Sequence, residues 1–259
     1  MTILRSRDNP QVKRWRELAH EARARRKHHA AILEGAHLVS ACLHAGKGIR
    51  ALILGETGAE KTELASLVRH YGKAPALVSD AVFRAIADTE TPSGIAAEIR
   101  IPESGPDLAA SSACVFLERV QDPGNVGAIL RSAAAFGIRD VVLGRGCADA
   151  WSPKVLRAGM GAHFSLRIAE EADLAAAVAR FGETLVCTAP REGTPLPQAQ
   201  LPRRIGWIFG AEGQGVSREL AARARIKVAI PMAGLAESLN VAAAAAICFY
   251  EASRSGARS

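Results

Sequence analysis

Three short stretches of this chain carry residues whose types and spacing could do chemistry. The first runs Glu118-Arg-Val-Gln-Asp-Pro-Gly-Asn125-Val-Gly-Ala-Ile-Leu-Arg131. It sets an amide at a loop-to-helix boundary and a guanidinium further along a helix that is otherwise apolar. Taken alone, such an arginine reads as snorkelling or salt-bridged. The Asp122-Pro-Gly-Asn125 loop ends in a residue suited to capping that helix. The second stretch is Trp207-Ile-Phe-Gly210-Ala-Glu212-Gly213-Gln-Gly215-Val-Ser217. Its glycines directly follow an apolar run and let backbone approach a ligand closely, with an acid at the rim. The third runs from Ile230-Pro-Met232 to Ser238-Leu239-Asn240-Val241 and on into an Ala-rich helix. Asn is a poor helix-interior residue but a good cap.

These stretches need elements to position them. Beyond Ser112, strand-like and helical runs alternate. Strands are expected at 113–117, 140–143, 184–189, 205–209 and 227–230. Helices are expected at 126–136, 155–160, 173–181, 217–224 and 237–253. Such alternation predicts an α/β domain with a mostly parallel sheet. Ligands in these sheets bind beyond the carboxyl ends of the strands, so the loops after Leu117, Ala189, Phe209 and Ile230 matter most.

Upstream lies a smaller α/β region. Asn9-Pro10 caps a helix expected to run to Ala31, with Val12, Trp15, Leu18 and Ala19 on its apolar side. The stretch 30–43 reads as strand or helix. Strands are expected at 50–54, 76–79 and 95–101, and helices at 60–70 and 80–87. The Pro-, Gly- and Ser-rich stretch after Ile101 reads as a linker. The expected organisation is therefore a domain over 1–101, a linker over 102–112 and a domain over 113–259.

Composition narrows the class. The chain has 259 residues, 49% hydrophobic and 23% charged, which excludes a disordered or collagen-like chain. Its net charge of +7 is confined to one end. Residues 1–50 hold 11 Lys/Arg against 4 Asp/Glu, and the rest hold 22 of each. Lys13, Arg14, Arg16, Arg23, Arg25, Arg26 and Lys27 share the first helical stretch. They form either a solvated face or a contact for nucleic-acid phosphates. Five cysteines without a paired spacing argue against zinc and a disulfide framework. No secretory leader is evident. The longest apolar run, 241–250, has ten residues against the roughly 20 of a membrane span. The expectation is a cytoplasmic protein without a membrane or metal partner.

Two familiar nucleotide motifs fail. Gly55-Glu-Thr-Gly-Ala-Glu60-Lys61-Thr62 has Glu where a P-loop needs Gly before its Lys. Gly144-Arg-Gly146 and Gly213-Gln-Gly215 both lack the third Gly of a dinucleotide fingerprint.

Together the three stretches, as N-x-G-x-x-x-R, F-G-x-E-x-x-G and I-P-M-x-x-x-x-x-S-L-N-V, resemble the SpoU/TrmH family of RNA ribose 2′-O-methyltransferases, in the SPOUT superfamily. The resemblance covers about residues 112–254. Ser-Arg-Asp-Asn-Pro-Gln-Val-Lys at 6–13, Glu34-Gly35 and Thr-Pro-Ser-Gly-Ile at 91–95 are similar to the L30e-like RNA substrate-binding domain that precedes many such enzymes. The resemblance implies a sheet threaded into a trefoil knot, a homodimer, and S-adenosylmethionine as cofactor. Thr188, Gly210, Gly215, Ile230, Met232, Leu239 and Val241 would hold the cofactor. Asn125, Arg131, Glu212, Ser238 and Asn240 match the family's catalytic positions. Arg131 would act either as the base or as a charged clamp on phosphate and developing alkoxide. Large-subunit rRNA, 23S in bacteria, fits the two-domain layout better than tRNA. A catalytically silent RNA-binding or ribosome-assembly protein on the same fold is the alternative from another class. One departure stands out: Gly159 replaces the Ser usual in the family.

Overall fold

The computed structural model describes residues 2–171, 173–189, 192–234 and 238–256. Helix α1 (Pro10–His20) starts where expected, with the Asn9 side chain accepting the Gln11 amide and Pro10 in the first turn. The helix does not continue to Ala31. Glu21 is extended, and a second helix, α2 (Ala22–His28), follows. The reason lies in Arg25, which folds back so that its Nη1 donates to the carbonyls of Leu18 at 2.7 Å and Ala19 at 3.1 Å. Those are end-of-helix carbonyls without an intrahelical partner, and a cation there also meets the negative end of the helix dipole.

The ambiguous stretch after Ala30 is both things in turn: strand β1 (Ala30–Glu34), then α3 (Ala36–His44), with Gly35 at φ +100° between them. Next come β2 (Ile49–Gly55), α4 (Glu56–Ala59), α5 (Thr62–Tyr71), β3 (Ala76–Val78), α6 (Asp80–Ile86) and β4 (Ile95–Arg100). The sheet order is β1-β4-β2-β3, with β4 antiparallel to both neighbours. The apolar face of α1 covers this sheet. Val12, Trp15 and Leu18 are fully buried against Ile32, Ile53, Val78 and Phe83. Two buried carboxylates fix the packing. Glu98 accepts from the Trp15 indole at 2.9 Å and the Arg14 guanidinium at 2.8 Å. Glu34 accepts the Asp88 amide at 2.8 Å and the Thr89 hydroxyl.

The second unit begins with β5 (Ala113–Leu117), α7 (Pro123–Ala135) and β6 (Asp140–Gly144). Then α8 (Pro153–Gly159) departs from the pattern. Residues Trp151–Phe164 cluster with Met1–Glu103, and the second unit is Ser104–Ala150 with Ser165–Ser259. Within the first unit α8 packs on β1. Its Arg157 lies 2.6 Å from Asp88 and 3.6 Å from the buried Glu34.

The chain continues through β7 (Arg167–Glu171), α9 (Leu174–Phe181), β8 (Thr184–Thr188), β9 (Thr194–Pro195), β10 (Ile205–Phe209), α10 (Arg218–Arg223), β11 (Ile226–Ala229) and α11 (Val241–Gly256). All seven strands pair in parallel, in the order β7-β6-β5-β10-β8-β11-β9. The inner strands β6 and β10 are short runs buried along their length, as a parallel sheet requires, while β11 near the edge carries Lys227 and is only partly buried. The edge strands β7 and β9 were not expected. The Arg-Ile-Ala-Glu-Glu of β7 is too polar to stand out, and β9 is two residues including a proline. The expected helix start at Glu237 falls outside the described residues, and helix is present from Val241. Among the described residues no helix is long and apolar enough to cross a membrane.

Candidate functional site

The carboxyl ends of β8, β10 and β11 open into a cleft of about 550 Å³. Its walls bring together Thr188, Gly210, Glu212, Gly215, Ile230, Met232, Ser238, Leu239, Asn240 and Val241. Most of these sit in loops, and the way each loop is held explains the shape.

The glycine loop leaves β10 at Gly210 and turns back on itself. A Cβ on Gly210 would lie 2.0 Å from the Gly215 carbonyl oxygen, so no side chain fits there. The Gly215 amide donates to the Ala211 carbonyl at 2.8 Å, and Gly213 and Gly215 take left-handed φ of +86° and +66°. The far end is fastened by Glu118, at the end of β5, whose Oε2 accepts the Ser217 amide at 2.7 Å. Sequence reasoning passed over Glu118. Its position directly after a central strand was the available signal.

The polar groups of the three stretches meet in one chain of hydrogen bonds. Asn240 caps α11, its Oδ1 accepting the amides of Ala242 at 2.9 Å and Ala243 at 3.3 Å. Backbone N–H groups can only donate, so this fixes which end of the Asn240 amide is oxygen. Its Nδ2 then donates to Asn125 Oδ1 at 2.8 Å, and Asn125 Nδ2 donates to Glu212 Oε1 at 2.6 Å. Residues far apart in sequence are thereby set in one defined orientation. Asn125 is free for this because it is not the cap of α7. Asp122 is, accepting the Asn125 amide at 2.8 Å, so the helix starts at Pro123 rather than Val126.

The Arg131 and Ser238 side chains are exposed and make no hydrogen bond or ion pair among the described residues. Glu212 therefore orients Asn125 and not Arg131. Gly159 is buried at the end of α8 in the first unit. Metal-holding groups of three or more His, Cys, Asp or Glu do not occur among the described residues. The cysteines are free, and burial pushes the Cys42 thiol up to about 11 and the Cys248 thiol to about 12. Neither is a thiolate nucleophile at neutral pH.

The seven basic residues of the first helical stretch divide by environment. Arg25 is 5% exposed and held by helix carbonyls, so it is not available to a phosphate. Arg14 is half-buried and tied to Glu98. Lys13, Arg16, Arg23, Arg26 and Lys27 are exposed, Lys13 beside Asp8 at 3.1 Å.

Residues 112–250 match the SpoU rRNA Methylase family, and residues 9–97 match the MRM3-like substrate binding domain. The chain is 34% identical over 253 residues to the 23S rRNA (guanosine(2553)-2′-O)-methyltransferase RlmP of Bacillus subtilis, covering 96% of this chain and 98% of that protein. It is 36% identical over 256 residues to an uncharacterized tRNA/rRNA methyltransferase of Synechocystis, covering 96% and 92%. It superposes on the AdoMet-bound rRNA methyltransferase of Sinorhizobium meliloti with a TM-score of 0.81, at 28% identity and with 98% and 97% of the two chains covered.

Proposed function

The chain belongs to the SpoU rRNA methylase family, and from that membership and the cleft's geometry we propose that it methylates a ribose 2′-hydroxyl of 23S rRNA, using S-adenosylmethionine. The observation that carries this reading is the hydrogen-bonded chain Asn240–Asn125–Glu212 at the mouth of a cleft closed by a side-chain-free Gly210. The cleft fits the cofactor in kind. It has a volume of the size that encloses a small molecule. It offers backbone groups around Gly210 and Ile230, and the apolar side chains of Met232 and Leu239, 38% and 39% exposed. When bound, S-adenosylmethionine supplies a methyl group on a sulfonium, an electrophile already activated for in-line transfer.

The chain's own residues do the rest. Asn125 and Asn240 orient the ribose or the loops around it, and Glu212 keeps Asn125 turned. Alignment of this kind contributes roughly 7–11 kcal/mol in favourable cases. Arg131 serves as a charged clamp on the neighbouring phosphate and on developing alkoxide. Neutralising an arginine at pH 7 costs about 7–9 kcal/mol. Ser238 is free to meet the substrate.

On this reading residues 1–101 hold RNA through Lys13, Arg16, Arg23, Arg26 and Lys27, and residues 113–259 carry the chemistry. A homodimer belongs to the same proposal. Helix α11 leaves Ile247 and Tyr250 39% and 54% exposed, three residues apart on one face, as a surface for a second copy. Light scattering on the purified protein checks it, and a monomer at micromolar concentration would remove it. The trefoil knot is also part of the reading, supported by the return of β10 between the earlier strands β5 and β8.

Deleting the gene and mapping 2′-O-methyl groups across rRNA and tRNA tests the function. One lost site in 23S rRNA is the expected result. A lost tRNA site would move the substrate, and an unchanged map would favour a silent RNA-binding protein.

A further inference from the structure

Among the described residues, three other than glycine take a left-handed backbone: His29, Arg119 and Met160. His29 and Met160 are the C-caps of α2 and α8, where that conformation is ordinary. Arg119, at φ +53°, lies in the loop between β5 and α7 and caps nothing. Glycine would suit that backbone better than arginine does.

Around Arg119 the loops after β5 and β6 are stitched together. The Ala148 amide donates to the Val120 carbonyl at 2.9 Å, and the Cys147 thiol to the Leu117 carbonyl at 3.3 Å. The Arg119 stem lies along Gly146, whose added Cβ would sit 3.5 Å from Arg119 Cγ. Arg119 and Arg145 both line a polar cleft of about 440 Å³ at this end of the sheet, separate from the one described above. Both are exposed, and neither has a partner among the described residues. Acids line the cleft too, but each is engaged. Glu118 accepts the Ser217 amide at 2.7 Å, Asp173 accepts the Ala176 amide at 2.9 Å, and Glu219 lies 3.6 Å from Arg223. The uncommitted groups are the two guanidiniums, whose forked donors match phosphate oxygens.

We infer that Arg119 and Arg145 grip the phosphate backbone of the RNA on the second unit itself, apart from the basic helices of the first. The inference rests on the proposed RNA substrate. It gives a reason for the left-handed arginine, since the loop turns its neighbour Glu118 to the glycine loop and sends Arg119 to solvent.

The test exploits the strain. Arg119→Gly removes the cation and relieves the backbone together, so a purely structural Arg119 and an RNA-gripping one give different results. Binding of deproteinised 23S rRNA is titrated between 50 and 300 mM salt, about the range over which counterion release is read. The variants are Arg119→Gly, Arg119→Lys, Arg145→Ala and the Arg119→Gly/Arg145→Ala pair. Each lost phosphate contact should lower the slope of log K against log salt by about 0.7–0.9. The pair should therefore lose about twice that, with the thermal midpoint of Arg119→Gly equal to or above wild type and S-adenosylmethionine affinity unchanged. Arg119→Lys should keep the wild-type slope. An unchanged slope in the pair overturns the inference, and so does a lowered midpoint in Arg119→Gly with RNA binding intact. Methyl transfer by the wild type is measured separately. Its absence would sink the proposed function while leaving the slopes to decide the grip.

Discussion

Gly210→Ala is the sharpest perturbation of the cleft proposed to hold the cofactor. The added Cβ would sit 2.0 Å from the Gly215 oxygen, 2.1 Å from its carbonyl carbon and 2.3 Å from the Val216 nitrogen. All three are backbone atoms, so no rotamer change relieves the clash. The loop must withdraw by about 1.4 Å to reach the 3.4 Å of ordinary contact. That motion breaks the Ala211–Gly215 hydrogen bond and strains the Ser217–Glu118 one. A neutral bond is worth about 0.5–1.5 kcal/mol and a charged one about 1.5–3 kcal/mol. Reopening the loop therefore costs about 2–4 kcal/mol, which is about 30- to 1,000-fold in affinity at 1.4 kcal/mol per decade. Isothermal titration with S-adenosylmethionine reads this directly. Gly213→Ala is the control, because its Cβ would meet nothing within 4 Å and only its φ of +86° is unfavourable. That strain is about 1–2 kcal/mol, so its loss of affinity should be the smaller. A Gly210→Ala protein that binds within threefold of wild type, or no worse than Gly213→Ala, would refute the account of the loop.

Arg25→Ala should lower stability by about 2–4 kcal/mol in urea unfolding, since two helix carbonyls lose a charged donor, whereas Arg26→Ala should stay within about 0.5 kcal/mol. Equal effects would mean that Arg25 is not the fold's staple. Changing Lys13, Arg16, Arg23, Arg26 and Lys27 to Gln should weaken rRNA binding and flatten its salt dependence while S-adenosylmethionine affinity holds; parallel loss of both would make the cations structural. Arg131→Lys keeps charge but loses the fork, and single-turnover methyl transfer should fall by an order of magnitude or more. Wild-type turnover there would show that fork geometry is not needed.

The strands of the second unit were plain in the sequence because a parallel sheet buries both faces, leaving compact apolar runs such as Ile205–Phe209. The edges were not, because β7 is polar and β9 is only two residues long. Helix ends were legible where one residue decides them, as at Asn9, and misread where two competed, as Asp122 and Asn125 did. In the basic stretch, periodicity saw one continuous helix and seven equivalent cations. It could not see that Arg25 would turn back to its own helix, or that Glu98, far along the chain, would claim Arg14. The three chemical stretches were recognisable singly, but that Asn125 joins Asn240 to Glu212 is a fact of three dimensions. Glu118 had only its place directly after a central strand to mark it, and nothing local marked Arg119.

The placement of Trp151–Phe164 with the first unit has a consequence for synthesis. As the chain emerges in order, Glu34 is made more than a hundred residues before Arg157, the cation that reaches it in the finished fold. Glu34 already accepts the Asp88 amide and the Thr89 hydroxyl, and Arg157 is 31% exposed, so the late cation adds to a carboxylate that is partly satisfied before it arrives. The first unit thus receives its last helix only when about a third of the second is made. A fragment ending at residue 103 would be a poor stand-in for the substrate domain. A chain stalled between 103 and 157 would present β1 without the helix that packs on it in the finished fold.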